Sequence, residues 1–376
     1  MNLINQNTFP FEVKTLTFKR MLLEEWFDKY QFEVDYDIGE SGVKFLKFGE
    51  LNLNLKDIEL RYTQHLGNPV LRTQIASFYK NLSWENIAVT TGAAESIFSI
   101  MASLTSKDDH IIVECPNYPS FWYIPQSLER SMDLFFLDFE NNFKPNLEKL
   151  EGMIEPNTKL ICLTHPNNPT GSVITEGELK QLIDMIEDRN IYLLMDETYR
   201  ELTFDKPLPP AASFSSNVIS VSTMSKVYGL PGIRIGWSTS SEKSIIDGIR
   251  RVREQTTICN SALNEFIALK ILQEKDRHLK QINHRIRENF NILEEWMRSQ
   301  PYLDFIPPKG SVTCFPRFNQ PTEKLCRLLI EKYRTFTVPG YCFMMDSFFR
   351  LGFGGETEEL KKGLDKLDLA IEEIIN

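Results

Sequence analysis

The sequence predicts an α/β protein with a mostly parallel central sheet, helices on both of its faces, and a smaller α+β unit after it. Three observations lead there. Short apolar runs alternate with amphipathic stretches through the middle of the chain. Polar motifs follow those runs directly, which is where open α/β sheets place their ligands. The pattern then changes after a long helical stretch that ends near Arg298.

Taken in order, residues 1–44 are too few for a domain and are expected to join the small unit. Buried strands are expected at Ile87–Val89, Ile111–Val113, Leu134–Leu137, Leu160–Leu163, Ile191–Met195, Val218–Val221 and Ile233–Trp237. Between two of them, Thr175–Asp188 reads as a helix, with Leu179, Leu182, Ile183 and Ile186 on one face. From about Asn264 to Arg298, Ile282, Ile286, Phe290 and Leu293 form an apolar stripe on one long helix. After Pro301, short strands are expected near Phe305 and at Thr313–Phe315, with a helix near Thr322–Lys332. A C-terminal helix follows from about Glu358. The division is therefore a large domain over 45–290 and a small one over 291–376.

With 376 residues, the chain can fill two or three domains. Apolar content of 42% and charged content of 25% are ordinary for a globular protein. A net charge of −10 argues against nucleic acid or an anionic membrane as the main partner. The six cysteines lack zinc-ligand spacing and read as reduced, mostly buried thiols. Neither a signal peptide nor an apolar run long enough to span a membrane is visible, so a cytoplasmic location is expected.

The motifs carry the chemistry. Lys226 lies in Ser222–Trp237, with the hydroxyls of Thr223 and Ser225 before it. Glycines follow at 229, 232 and 236, and Arg234 stands between the last two. Such a loop can hold an amine close to a dianionic phosphate. Pyridoxal phosphate asks for that combination: an amine for its aldehyde, and hydroxyls with a guanidinium for its phosphate. Gly92, Ala93 and Ala94 open a helix after a strand, so free backbone N–H groups there suit a phosphate; an ordinary strand-to-helix turn reads the same way. Tyr118, in a proline-fixed loop, could lay its ring on a flat ligand or simply fill core. Asn168, in His165–Gly171, is aimed by a sharply turned loop. Asp196 ends a strand, where a buried carboxylate needs a partner such as a protonated pyridine nitrogen. Tyr199 follows three residues later and could reach the same ring. Arg350, among apolar neighbours, suits a substrate carboxylate or a structural ion pair. Nothing local gives Tyr62 a role.

In this order the pieces resemble the class I/II aminotransferases, the aspartate-aminotransferase-like family of fold-type I pyridoxal-phosphate enzymes. The strongest match is Ser225-Lys226-x-x-Gly229-x-x-Gly232-x-Arg234-x-Gly236, followed by Asn168-Pro169-Thr170-Gly171 and Asp196-x-x-Tyr199. The resemblance implies that Lys226 binds the cofactor as a Schiff base and that Asp196 pairs with the pyridine nitrogen. It implies that Tyr199 and Asn168 bond the phenolic oxygen and that Tyr118 stacks on the ring. Gly92, Ala93, Ala94, Thr223, Ser225 and Arg234 would hold the phosphate, and Arg350 the substrate carboxylate. Tyr62 would reach the phosphate of a partner subunit, which implies a homodimer with shared sites. Ser41 and Gly42, in Asp37-Ile38-Gly39-Glu40-Ser41-Gly42, would line the substrate pocket where many relatives carry a different loop. That tract and the lysine loop also resemble capreomycidine-synthase-like members.

The implied reaction moves an amino group between an L-amino acid and a 2-oxo acid in two half-reactions. The same scaffold serves lyases and cyclases, so elimination or cyclisation is the alternative. A non-catalytic cofactor-binding relative is least favoured, because such regulators carry an added DNA-binding domain and no room for one is seen before Tyr36.

Overall fold

In the computed structural model, which describes residues 17–376, the first described elements are helix α1 (Leu22–Tyr30) and a two-residue strand β1 (Tyr36–Asp37). The central domain runs α2 (Pro69–Ala76), β2 (Ile87–Thr90), α3 (Ala93–Leu104), β3 (His110–Cys115), α4 (Ser120–Ser127), β4 (Ser131–Phe136) and α5 (Leu147–Gly152). It continues with β5 (Thr158–Thr164), α6 (Glu176–Glu187), β6 (Tyr192–Asp196), β7 (Val218–Thr223), β8 (Gly236–Thr239), α7 (Lys243–Glu254) and α8 (Ala262–Gln273). Helix α9 (Lys275–Arg298) leads into the C-terminal part: β9 (Leu303–Asp304), β10 (Thr313–Cys314), β11 (Arg317–Phe318), α10 (Thr322–Tyr333), β12 (Thr335–Phe336), β13 (Val338–Pro339), β14 (Phe349–Gly352) and α11 (Thr357–Ile375).

Strands β2 to β8 form one sheet in the order β2-β8-β7-β6-β5-β3-β4. Neighbours from β7 to β4 pair in parallel, whereas β8 runs antiparallel to both β7 and β2. Successive side chains of a strand point to opposite faces, so the apolar runs feed two cores. Ile111, Val113, Leu160, Cys162 and Leu194 pack with Ile97 and Ile100 of α3 and Ile245 and Ile249 of α7. Ile112, Ile161, Leu163, Leu193 and Met195 pack with Leu179, Ile183 and Ile186 of α6. Apolar residues at both parities are what a strand covered on both faces requires.

Two expectations shift. The strand expected at Ile233–Trp237 is displaced to Gly236–Thr239. Pro231 begins a 3₁₀ turn, and Arg234 takes a left-handed conformation (φ 50°), so the chain cannot extend until Gly236. The single long helix from Asn264 breaks into α8 and α9 at Glu274, whose backbone (φ −106°, ψ 23°) is not helical.

The first described segment joins the C-terminal part. Strand β1 pairs in parallel with β12, and the Trp26 indole donates to the Thr337 carbonyl at 2.8 Å. Strand β14 lies between β10 and β13, antiparallel to both. This places Arg350 on the strand facing the ends of the central sheet.

Candidate active site

The strands β2, β3, β5, β6 and β7 end at Thr90, Cys115, Thr164, Asp196 and Thr223. A cavity of about 380 Å³ opens beyond these ends, as expected for a doubly covered parallel sheet. Ala93, Ala94, Tyr118, Asn168, Asp196, Tyr199, Thr223, Ser225, Lys226, Arg234 and Arg350 all line it, as does Ser41. Ser41 and Arg350, 309 positions apart, thus line the same cavity.

One end of the cavity is built for an anion. Helix α3 begins at Ala93 with Gly92 as its N-cap (φ 81°), and no side chain caps the exposed N–H groups. A Cβ at Gly92 would lie 2.5 Å from Arg234 Nη2, so only glycine lets the guanidinium come this close to the helix end. The Thr223 and Ser225 hydroxyls lie 3.0 Å apart, and Arg234 Nη1 donates to Ser225 Oγ at 3.4 Å. Two hydroxyls, a guanidinium and a bare helix N-terminus make up a phosphate-sized donor set.

In the middle, Asp196 is buried at the end of β6. Its Oδ1 accepts from the Thr198 amide at 2.9 Å and the Thr198 hydroxyl at 2.6 Å. Burial pushes its carboxyl up to about 6 despite these bonds, so the site lacks a cation there that a protonated pyridine would supply. Tyr199 is buried beside Lys226; burial raises its phenol and the nearby ammonium opposes the shift. The Tyr118 hydroxyl donates to Glu24 Oε1 of α1 at 3.0 Å. Tyr118 follows the peptide bond Cys115–Pro116, and Asn168 precedes Pro169; both bonds are cis. These residues fit the cofactor that the lysine loop suggests: an anion cup at one end, a cation-seeking carboxylate at the centre, and an amine between.

The far end carries the second guanidinium. Arg350 is only 1% exposed. Its Nε and Nη2 donate to the Gly39 carbonyl at 3.1 and 2.7 Å, and Nη1 donates to Asn168 Oδ1 at 3.3 Å. The rings of Phe27 and Phe343 flank it. Its hydrogen-bond partners are a carbonyl and an amide rather than a carboxylate, so its charge suits an incoming carboxylate.

Two carboxylates line the cavity that sequence reasoning passed over: Glu24 and Glu40. Lys226 Nζ donates to Glu40 Oε1 at 2.7 Å. Burial would raise the Glu40 carboxyl, but Lys226 and then Arg350 outweigh it and hold it at about 2. Burial would likewise lower the Lys226 ammonium, but Glu40 raises it. The tract itself is tied to the lysine loop, since the Val43 amide donates to the Lys226 carbonyl at 3.1 Å. Gly42 does not line the cavity; a Cβ there would lie 3.3 Å from Glu40 Oε1 and 3.7 Å from Lys226 Cδ. Tyr62 stands apart, 81% exposed, and does not reach the cavity within its own chain.

The chain matches the family model described as aminotransferase class I and II over residues 45–367. It is 29% identical over 355 residues to capreomycidine synthase of Streptomyces vinaceus, covering 91% of each chain. It is 28% identical over 347 residues to aspartate aminotransferase of Thermotoga maritima, covering 90% of this chain and 88% of that one. Among solved structures, a PLP-dependent aminotransferase from Streptococcus suis superposes with a TM-score of 0.90 at 32% identity, covering 95% of this chain and 98% of the other. The PLP-dependent cyclase OrfR superposes with a TM-score of 0.88 at 26% identity, covering 94% and 97%. A match that takes in the sheet, the lysine loop and Arg350 alike identifies this chain as a member of the class I and II aminotransferases, a family of pyridoxal-phosphate-dependent enzymes.

Proposed function

We propose that this enzyme moves an amino group from an L-amino acid to a 2-oxo acid in two half-reactions, with Lys226 as both covalent anchor and proton carrier. The observation that supports this most is the place of Lys226 Nζ, in one cavity between an anion cup and a buried guanidinium. Pyridoxal phosphate supplies an aldehyde for amines and a ring that withdraws electrons from the carbon next to the nitrogen. In this reading the cup of Gly92, Ala93, Ala94, Thr223, Ser225 and Arg234 binds the phosphate, and Asp196 keeps the ring nitrogen protonated. Asn168 and Tyr199 bond the phenolic oxygen, and Tyr118 covers a face of the ring. Arg350 binds the substrate α-carboxylate, and Ser41 lines the substrate side with Gly42 behind it. Once displaced by the substrate amine, Lys226 Nζ takes the α-proton and returns it elsewhere on the same face.

The reading extends to assembly. Tyr62 of the partner subunit would complete the phosphate site, which makes the enzyme a homodimer; its exposed ring is free to do so. The division into 1–44, 45–290 and 291–376 belongs to the same proposal, supported by the pairing of β1 with β12. No described helix is long and apolar enough to cross a membrane, and the proposed location is the cytoplasm.

The test is a screen of amino acids against the cofactor-loaded protein with 2-oxoglutarate, following the visible spectrum and glutamate formed. Glutamate production supports amino transfer. A second reading, elimination or cyclisation on the same scaffold, draws on the relatives named capreomycidine synthase and OrfR. Product formation with no oxo-acid acceptor, and no glutamate when one is supplied, would favour it.

A further inference from the structure

We propose that His110, Asp133 and Glu155 form a binding site for a divalent transition-metal cation, zinc foremost, at the end of the central sheet away from the active-site cavity. The site is separate from the amino-transfer chemistry and does not depend on it. Its side chains come from three segments in succession. His110 is the first residue of β3, whose other end, Cys115, faces the cavity; Asp133 lies on β4, and Glu155 on the turn before β5. One ligand atom from each lies within 4.8 Å of the other two. Ligand atoms around zinc stand closer, about 3.3 Å apart when each is about 2.0–2.1 Å from the ion. Both carboxylates are exposed, so side-chain rotation alone can close that gap.

His110 carries the inference. It is 1% exposed, and its Nε2 has no hydrogen-bond partner among the described residues. Nδ1 meets Thr158 Oγ1 at 2.9 Å. That hydroxyl also accepts from the Glu155 amide at 2.8 Å, and its second lone pair can take the Nδ1–H. The tautomer so fixed leaves the Nε2 lone pair aimed at two carboxylates, which have no proton to give it. Asp133 Oδ2 lies 3.5 Å from Nε2, beyond an N–H···O bond of about 2.7–3.2 Å. Three lone-pair donors thus converge on one point, and a cation satisfies all three. An imidazole with two carboxylates suits zinc better than magnesium or calcium, which prefer oxygen alone. Thr158 both orients the imidazole and ties down the turn that carries Glu155, the outer support that metal-binding histidines use. Three protein ligands leave the fourth position to water. Since β4 is the edge strand beside β3, a cation here would clamp the sheet edge and the turn before β5 together.

The competing role for His110 is an ion pair with Asp133, which needs no metal. Calorimetric titration of the tag-free holoenzyme with zinc chloride separates the two, using the wild type, Asp133→Asn, Glu155→Gln and His110→Gln. The wild type is expected to bind zinc at one site per chain, and its thermal midpoint to rise with zinc. Asp133→Asn and Glu155→Gln are each expected to weaken that binding by about tenfold or more and to lose the rise, with amino transfer unchanged. His110→Gln is expected to abolish it. Because His110 is buried, a failure of that variant to fold leaves the decision to the two carboxylate variants, whose changed side chains are exposed. A folded wild type that binds no zinc at about 100 µM overturns the proposal and leaves the ion pair. Zinc bound equally well by Asp133→Asn and Glu155→Gln overturns it too, since the ion would then sit elsewhere.

Discussion

At the scale of single residues, the chemistry depends on charges held where water cannot screen them. Arg350 shows this most plainly: it is buried, flanked by aromatic rings, and bonded to a carbonyl and an amide rather than to a carboxylate. Replacing Arg350 with Ala is expected to raise the apparent KM for amino acids by roughly 30-fold or more, because the α-carboxylate would be buried unpaired. Steady-state kinetics with a fixed oxo acid checks this, and an unchanged KM would remove the carboxylate role. Most cavity-lining residues were legible in the sequence because each follows an apolar run or sits in a dense motif, as Asp196 and Lys226 do. Glu40 was not. Its motif pointed to Ser41 and Gly42 beside it, and its contact with Lys226 spans 186 positions that no local pattern reports.

At the scale of elements, the β2–α3 junction and the turn before β8 must fit together. Gly92 leaves room for Arg234, and a Cβ at Gly236 would lie 2.5 Å from the Gly92 carbonyl carbon. Gly92→Ala is expected to weaken cofactor affinity by about tenfold or more, since the guanidinium must retreat from the helix end. A cofactor titration of the variant reads this directly, and an unchanged affinity would contradict the cup. The apolar runs made the strands legible, including their burial on both faces. The antiparallel sense of β8 and its later start were not legible, because they depend on the Pro231 turn and on pairing between strands far apart in sequence. Likewise, the break at Glu274 falls in the polar run Gln273–His278, where no Gly or Pro marks a helix end in the sequence.

At the scale of the whole molecule, the buried network under the site couples stability to pH. Glu114 accepts from the Thr164 amide at 2.8 Å, Asn167 Nδ2 at 3.0 Å and Asn117 Nδ2 at 3.3 Å, tying β3 to β5 and to both loops above them. Burial pushes its carboxyl up to about 8, against an ordinary 4.5. The folded state therefore binds a proton that the unfolded state releases, and this contribution is lost as pH rises through about 8. Between pH 6.5 and 8 the cofactor-free protein is expected to lose roughly 1–2 kcal/mol from this group, with Glu114→Gln removing that part of the slope. Thermal melts of both proteins across this range check it; identical slopes would contradict it. The assembly proposal makes its own demand at this scale: Tyr62 completes a site only across a dimer, so the protein should sediment as a dimer when active. In the proposed reaction everything turns on Lys226 carrying the cofactor. Borohydride reduction of the cofactor-loaded protein, followed by peptide mass mapping, tests it most directly. Pyridoxyl mass is expected on the peptide containing Lys226 and none in Lys226→Ala; mass on another lysine, or no covalent label, would overturn this role.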